Sequence, residues 1–260
     1  MTGEDRQQQI VDLVHARGFM TIEALAGRFG VTPQTIRRDL NRLSRQSKLA
    51  RYHGGAGLPG STRNIDYAAR QVSLLAEKEA IAALAAAHIP DDVSLFINIG
   101  TTTEAVARAL VHHRRLRVIT NNLNVATILT ARTDFEVIIA GGLVRNSDGG
   151  IVGEAAIDFI NQFKVDYGII GISGIDQDGT LLDFDYREVR VAQAILRNSR
   201  GVFLVTDHTK FGRNAMVRLG HLSQVAALFT DRAPPPPLGA LLEDNQIALH
   251  VASIETPGSG

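Results

Sequence analysis

The 260-residue chain has no cysteine and no tryptophan, and only 5% of its residues are aromatic. Without a thiol, disulfides, cysteine nucleophiles and thiolate metal sites are all excluded. The eight histidines are scattered without metal-ligand spacing, so neither a metal centre nor a cofactor is expected. No apolar run approaches the roughly 18 residues of a membrane span. Polar residues follow Met1 instead of a leader-type apolar stretch, and cytoplasmic residence is the expectation. Net charge is absent too. What remains, 45% hydrophobic and 21% charged, suits a globular protein with enough apolar residues to bury a core. This length allows one large domain or a small one beside a larger one.

The zero net charge conceals an asymmetry. Residues 1–58 carry nine Lys/Arg against five Asp/Glu, whereas the rest carries 18 against 22. A basic head on an acidic body suggests a polyanion as the partner of the head.

Within that head, Ile10, Val11, Leu13 and Val14 recur at helical spacing and Gly18 follows as a stop. Thr21 caps a second helix with Ile22, Leu25, Ala26 and Phe29 as its buried stripe, and Gly30 ends it. Thr32 and Pro33 restart the chain as cap and first helical residue of a third helix, reaching about Leu43. Its apolar face is Ile36, Leu40 and Leu43. Its other face carries Gln34, Thr35, Arg37, Arg38, Asn41 and Arg42. A strand at 49–52 followed by His53-Gly54-Gly55-Ala56-Gly57 forms a hairpin, or wing.

Two helices joined by a tight turn make a helix-turn-helix, whose second helix enters the major groove of DNA. Reading DNA requires Gln and Arg for base edges and cations for phosphates. Thr32, Gln34, Thr35, Arg37, Arg38, Asn41, Arg42 and, on the wing, Arg51 and His53 are the candidates. The alternative is an ordinary solvated helix face. The turn, the wing and the charge contrast favour the DNA reading.

The remainder alternates short β-branched runs with helical stretches. Strands are expected at 94–99, 116–120, 135–140, 167–172, 202–206 and 226–230, and helices at 73–88, 103–113, 124–132, 155–163, 186–200 and 238–245. This order implies a mostly parallel sheet covered by helices. The fold class is α/β: a winged helix-turn-helix head at 1–58, a linker at 59–74, a larger sensor and oligomerisation domain at 75–252 and a flexible tail at 253–260. Pro234 to Pro237 reads as a stiff loop.

Ligands of open parallel sheets bind beyond the carboxyl ends of the strands. Here those ends are small and polar: Gly100, Thr101 and Thr102; Asn121 and Asn122; Gly141 and Gly142; Ser173 and Asp176; and Lys210. Gly100 and the threonines at a helix start offer N–H groups and hydroxyls to a phosphate, with Lys210 as counter-charge. Asp183, Asp185 and Glu188 lie close together, and of these Asp185 and Glu188 are candidates for orienting the ligand. Taken singly, each loop could equally be a turn with a helix cap. No dinucleotide-binding glycine motif and no Walker motif occurs.

Val31-Thr32-Pro33-Gln34-Thr35-Ile36-Arg37-Arg38-Asp39-Leu40, followed by Arg51-Tyr52-His53-Gly54-Gly55-Ala56, resembles the signature of the DeoR family of bacterial repressors. The second half is similar to that family's sugar-phosphate sensor, itself resembling ribose-5-phosphate isomerase. Phe96 to Thr102, Thr120 to Ala126, Gly171 to Asp176, Phe184 to Tyr186 and Lys210 to Val217 extend the likeness to regulators of glycerol 3-phosphate catabolism. The resemblance implies a homo-oligomeric repressor, dimer or tetramer, of glycerol and glycerol 3-phosphate catabolic genes. Operator DNA is its partner, and a small phosphorylated metabolite, glycerol 3-phosphate, releases it. One departure stands out: many family members carry a lysine four residues after the position of Glu188, and this chain has Ala192, with Arg190 as a possible substitute. The competing expectations are a sugar-phosphate isomerase with an accessory nucleic-acid-binding head, disfavoured by that missing lysine, and an activator instead of a repressor.

Overall fold

The computed structural model describes residues 3–17, 19–46, 48–52, 55–57 and 67–253. The chain divides into two compact units, Met1–Leu75 and Ala76–Gly260.

In the first unit, α1 (Gly3–Arg17), α2 (Ile22–Phe29) and α3 (Pro33–Arg45) enclose a core of Ile10, Val14, Leu25, Ile36, Leu40 and Leu43. The caps read from the sequence operate. Thr21 accepts from the Ala24 amide, Gly30 closes α2 in the left-handed region at φ 62°, and Thr32 accepts from the Thr35 amide. Strands β1 (Phe19–Thr21), β2 (Ala50–Tyr52) and β3 (Gly55–Gly57) form an antiparallel sheet in the order β1-β3-β2. The wing is thus a hairpin backed by a third strand, too short at three residues to show a pattern. Of the expected linker, residues 59–66 lie outside the described residues, but its end is helical: α4 spans Tyr67–Val72.

The second unit is built on seven parallel strands, β4 (Ser94–Ile97), β5 (Arg117–Thr120), β6 (Glu136–Ile139), β9 (Val165–Ile170), β12 (Ser199–Val205), β14 (Ala227–Thr230) and β15 (Ala248–Val251), ordered β15-β14-β12-β9-β4-β5-β6. Helices α5 (Leu75–Ala86), α6 (Thr101–Leu110) and α7 (Leu123–Leu129) bury one face against Leu95, Ile97, Val118 and Ile169. Helices α8 (Glu154–Ile160), α9 (Tyr186–Arg197) and α10 (Pro236–Asp244) cover the other, against Phe96, Ile170, Leu204 and Leu228. The strand alternation sends successive residues to opposite layers.

Besides the helical end of the linker and the unexpected seventh strand β15, three features depart from expectation. An antiparallel hairpin, β7 (Leu143–Val144) with β8 (Ile151–Val152), follows β6. A second antiparallel sheet joins β10 (Gly174–Ile175), β11 (Thr180–Asp183) and β13 (Val217–His221) in that order. The proline run is not wholly loop, because α10 begins at Pro236, where a missing N–H costs a helix nothing. The expected tail, apart from Ser253, lies outside the described residues.

Candidate functional site

The exposed face of α3 carries Gln34, Arg37, Arg38 and Arg42, all in solvent. Among the described residues no carboxylate pairs with Arg37, Arg38 or Arg42. The helix is locked from behind: Asp39, 5% exposed, accepts from Arg6 Nε and from Gln7 Nε2, both at 2.7 Å, which ties α1 to α3. That buttress was not anticipated, since Asp39 reads as one more surface charge. Thr32 and Thr35 are engaged with each other, hydroxyl to hydroxyl at 3.0 Å, as part of the cap. Asn41 accepts from Arg51 Nη1 at 2.5 Å, which joins the helix to the wing. His53 lies outside the described residues.

In the second unit the polar strand ends gather on one edge of the sheet. Gly100, at φ 150°, precedes α6 and offers no side-chain cap to the first turn of that helix. Thr103 secures the turn by donating to the carbonyls of Asn98 and Gly100, both at 2.8 Å, while Thr101 and Thr102 are buried in the first turn. Asn121 and Asn122 are fully buried. Asn122 caps α7 through the Asn124 amide at 2.9 Å and donates to Glu104 at 3.1 Å. Asn121 donates to the Ile151 carbonyl at 3.1 Å, and its own side-chain oxygen is buried without a partner, as is that of Asn98. A native fold seldom leaves such acceptors unused except where a ligand or water completes them.

On the α5 side of the sheet, Lys210 Nζ lies 3.4 Å from Asp207 and 3.3 Å from the Thr209 hydroxyl. Asp207 is 1% exposed. Burial alone would raise its carboxyl, but the ammonium groups of Lys210 and Lys78 and the Thr209 hydrogen bonds outweigh it and bring the pKa down to about 2. Lys78 on α5 is itself only 4% exposed. Sequence reading missed it because it stands among the alanines of an ordinary helix, far from any strand end. Next to this group, His208 Nδ1 lies 2.5 Å from the buried Asp231, whose carboxylate also accepts from the His208 amide.

On the α9 side, the guanidinium of Arg145 reaches Asp148 at 2.5 Å, Glu188 at 2.7 Å and Asp185 at 3.0 Å. Burial opposes the charge of Arg145, and the carboxylates more than restore it, so its pKa rises. Burial likewise raises Asp185, but hydrogen bonds from Arg187 and Arg145 prevail and the net shift is downward. Arg145 was unforeseen, and no local pattern marks it.

Other expected residues stand apart. Ser173 donates to Asp183 at 2.9 Å instead of facing open space. Asp176 occupies an exposed turn between β10 and β11, where it accepts from the Gln177 amide. Gly141 and Gly142 are exposed, and a Cβ on Gly142 would stand 2.9 Å from the Val152 carbonyl, so Gly142 lets β7 approach β8. Ala192 is fully buried in the core. Arg190 does not substitute for a cation at its place, because it pairs with Glu154 on the surface.

Residues 6–62 match the DeoR-like helix-turn-helix domain and residues 74–232 match the DeoR C terminal sensor domain. The chain belongs to the DeoR family. It is 52% identical over 251 residues, 96% of this chain and 100% of the other, to a glycerol-3-phosphate regulon repressor of Escherichia coli (strain K12). It is 51% identical to the repressor of the same name from Haemophilus influenzae, over 88% of this chain and 89% of that one. The HTH-type transcriptional repressor CsqR of E. coli shares 44% over 96% and 95%. Among solved structures, ribose 5-phosphate isomerases from Neisseria gonorrhoeae and Methanocaldococcus jannaschii overlap about half of each chain, with TM-scores of 0.37 and 0.40 at 14% and 12% identity. Overlap at that level assigns no chemistry. As a DeoR-family protein the chain is a DNA-binding transcriptional repressor with a metabolite sensor domain, not an isomerase. No helix among the described residues is long and apolar enough to cross a membrane.

Proposed function

We propose that this protein represses genes of glycerol and glycerol 3-phosphate catabolism, and that glycerol 3-phosphate releases it from its operator. In this reading residues 1–58 bind DNA through α3 and the wing, and residues 75–252 sense the effector and assemble the chain into a dimer or tetramer. Gly100, Thr101 and Thr102 with Lys210 and Lys78 hold the phosphate. Asn121, Asn122, Asp185 and Glu188 face the hydroxyl end.

The observation that carries the reading is the division of charge at the strand tips: Lys78 and Lys210 gather around Asp207 beside the uncapped start of α6, which also bears Glu104, while Asp148, Asp185 and Glu188 gather around Arg145 towards α9. A small polyol monophosphate has the complementary polarity: an anion at one end, hydrogen-bond donors at the other. The names of the relatives supply the regulon. To change DNA affinity, the effector must bind the DNA-free state more tightly than the DNA-bound one.

Fluorescence anisotropy of the protein on DNA from a glycerol 3-phosphate catabolic promoter, at fixed salt, tests this with and without glycerol 3-phosphate. Tight binding that weakens on addition of the metabolite is the expected result. Arg38→Ala is expected to cost about 1–3 kcal/mol of operator affinity, the scale of one groove contact. Binding indifferent to glycerol 3-phosphate would overturn the inducer assignment, and absence of specific binding would overturn the repressor assignment for these genes.

A further inference from the structure

The carboxylate end of the strand-tip site is more acidic than a hydroxyl-binding pocket requires. Asp148, Asp185 and Glu188 all contact Arg145, and Arg187 flanks Asp185 from the outside at 3.1 Å. One further buried carboxylate is bridged to this group: Asn124 donates both to Glu104 at 3.1 Å and to the Asp148 carbonyl at 3.0 Å. Three carboxylates therefore share the guanidinium of Arg145, and one of them, Asp185, also takes that of Arg187. The unpartnered oxygen of Asn121 adds another buried acceptor.

Arg145 is fixed as well as paired. Its amide donates to the Gly150 carbonyl at 2.7 Å within the β7–β8 turn, and three of its side-chain nitrogens are committed to carboxylates. Asp148 is 4% exposed, so turning Arg145 towards a ligand would strand a buried charge. The guanidinium thus sets the spacing of the carboxylates and is not available to an incoming anion. Asp185 and Glu188, more exposed than Asp148, are the carboxylates placed to accept from hydroxyl groups in strong, charge-assisted bonds. A second anion there would meet like charge.

We infer that Arg145 is a positioning residue for a selectivity end formed by Asp148, Asp185 and Glu188, which accepts the hydroxylated tail of a monophosphate and excludes a ligand carrying a second anionic group. The inference rests on the effector reading given above.

Isothermal titration calorimetry of the full chain with sn-glycerol 3-phosphate and with 3-phosphoglycerate tests it. The second compound keeps the three-carbon phosphate and replaces the terminal alcohol by a carboxylate. The wild type is expected to prefer the polyol by about tenfold or more, since like charges brought together across a binding site are strongly unfavourable. Glu188→Gln, which keeps an acceptor oxygen but loses the charge, is expected to narrow that ratio severalfold. Asp185→Asn is a second variant with the same expectation, and it preserves the α9 cap because Asn caps as well as Asp. Equal affinity of the wild type for the two compounds overturns the inference alone, and so does a ratio unmoved in both variants. Binding of neither compound overturns the effector reading beneath it.

Discussion

Gln34, Arg37, Arg38 and Arg42 stand in solvent on one helix of the amino-terminal unit, whereas Thr101, Thr102, Asn121, Asn122 and Lys78 are buried at or beneath strand ends in the other. The contrast matches the partners proposed for the two units. A DNA reader must keep its donors free until a large polyanion arrives, so its functional side chains contribute little to its own stability. A sensor of a small molecule must surround it, so its polar groups are withdrawn from water and need internal partners. Lys78 and Lys210 share Asp207 and Arg145 serves three carboxylates, whereas no carboxylate among the described residues pairs with Arg37, Arg38 or Arg42.

If the two units are independent in this way, damage to one core should not spread. Leu40 is fully buried between α3 and the rest of the head, and Leu40→Ala is expected to cost the head about 2–5 kcal/mol. Urea unfolding followed by circular dichroism should show an early transition for the head and an unmoved one for the sensor. A single shifted transition would mean that the units unfold together. The buried charge of the sensor gives a smaller effect with a definite sign. Because the Asp207 carboxyl falls to about 2 on folding from an ordinary 3.8, it stabilises the fold above pH 4, and this contribution fades as pH falls from about 4 to about 2. Asp207→Asn is expected to lose about 2 kcal/mol at pH 7, with the gap to wild type closing over that acid range in urea melts. A gap independent of pH would show that Asp207 is held by packing instead of by Lys78 and Lys210. The smallest effect belongs to the cap of α3: Thr32→Ala should cost about 1 kcal/mol in head stability, and operator titration beside the melt would separate capping from a phosphate contact.

Much of the head was legible in the sequence because its signals are local. Gly30, Thr32 and Pro33 set the turn by their own backbone and side-chain preferences, and the 3.6-residue spacing of Ile36, Leu40 and Leu43 determined which face of α3 remained exposed. The strand ends were legible for a related reason: a β-branched run that stops at Gly100 or Asn121 announces both the strand and its polar tip. The β7–β8 hairpin and the β10-β11-β13 sheet were not, since β7, β8 and β10 have only two residues each and β11 and β13 are interrupted by polar or glycine residues and lack the continuous apolar run of the buried strands.

By itself, then, the sequence determined two units, a helix-turn-helix with a polar exposed face and a parallel sheet with small polar strand ends, because each follows from local spacing and residue preference. Only the tertiary structure decided which charges meet there. Lys78 comes from a helix that precedes the sheet, Arg145 from an unforeseen hairpin, and Asp207 and Glu188 from later parts of the chain. Pairings across 40 or more residues, such as Arg145 with Asp185, leave no trace in local pattern, because they depend on which strands lie side by side.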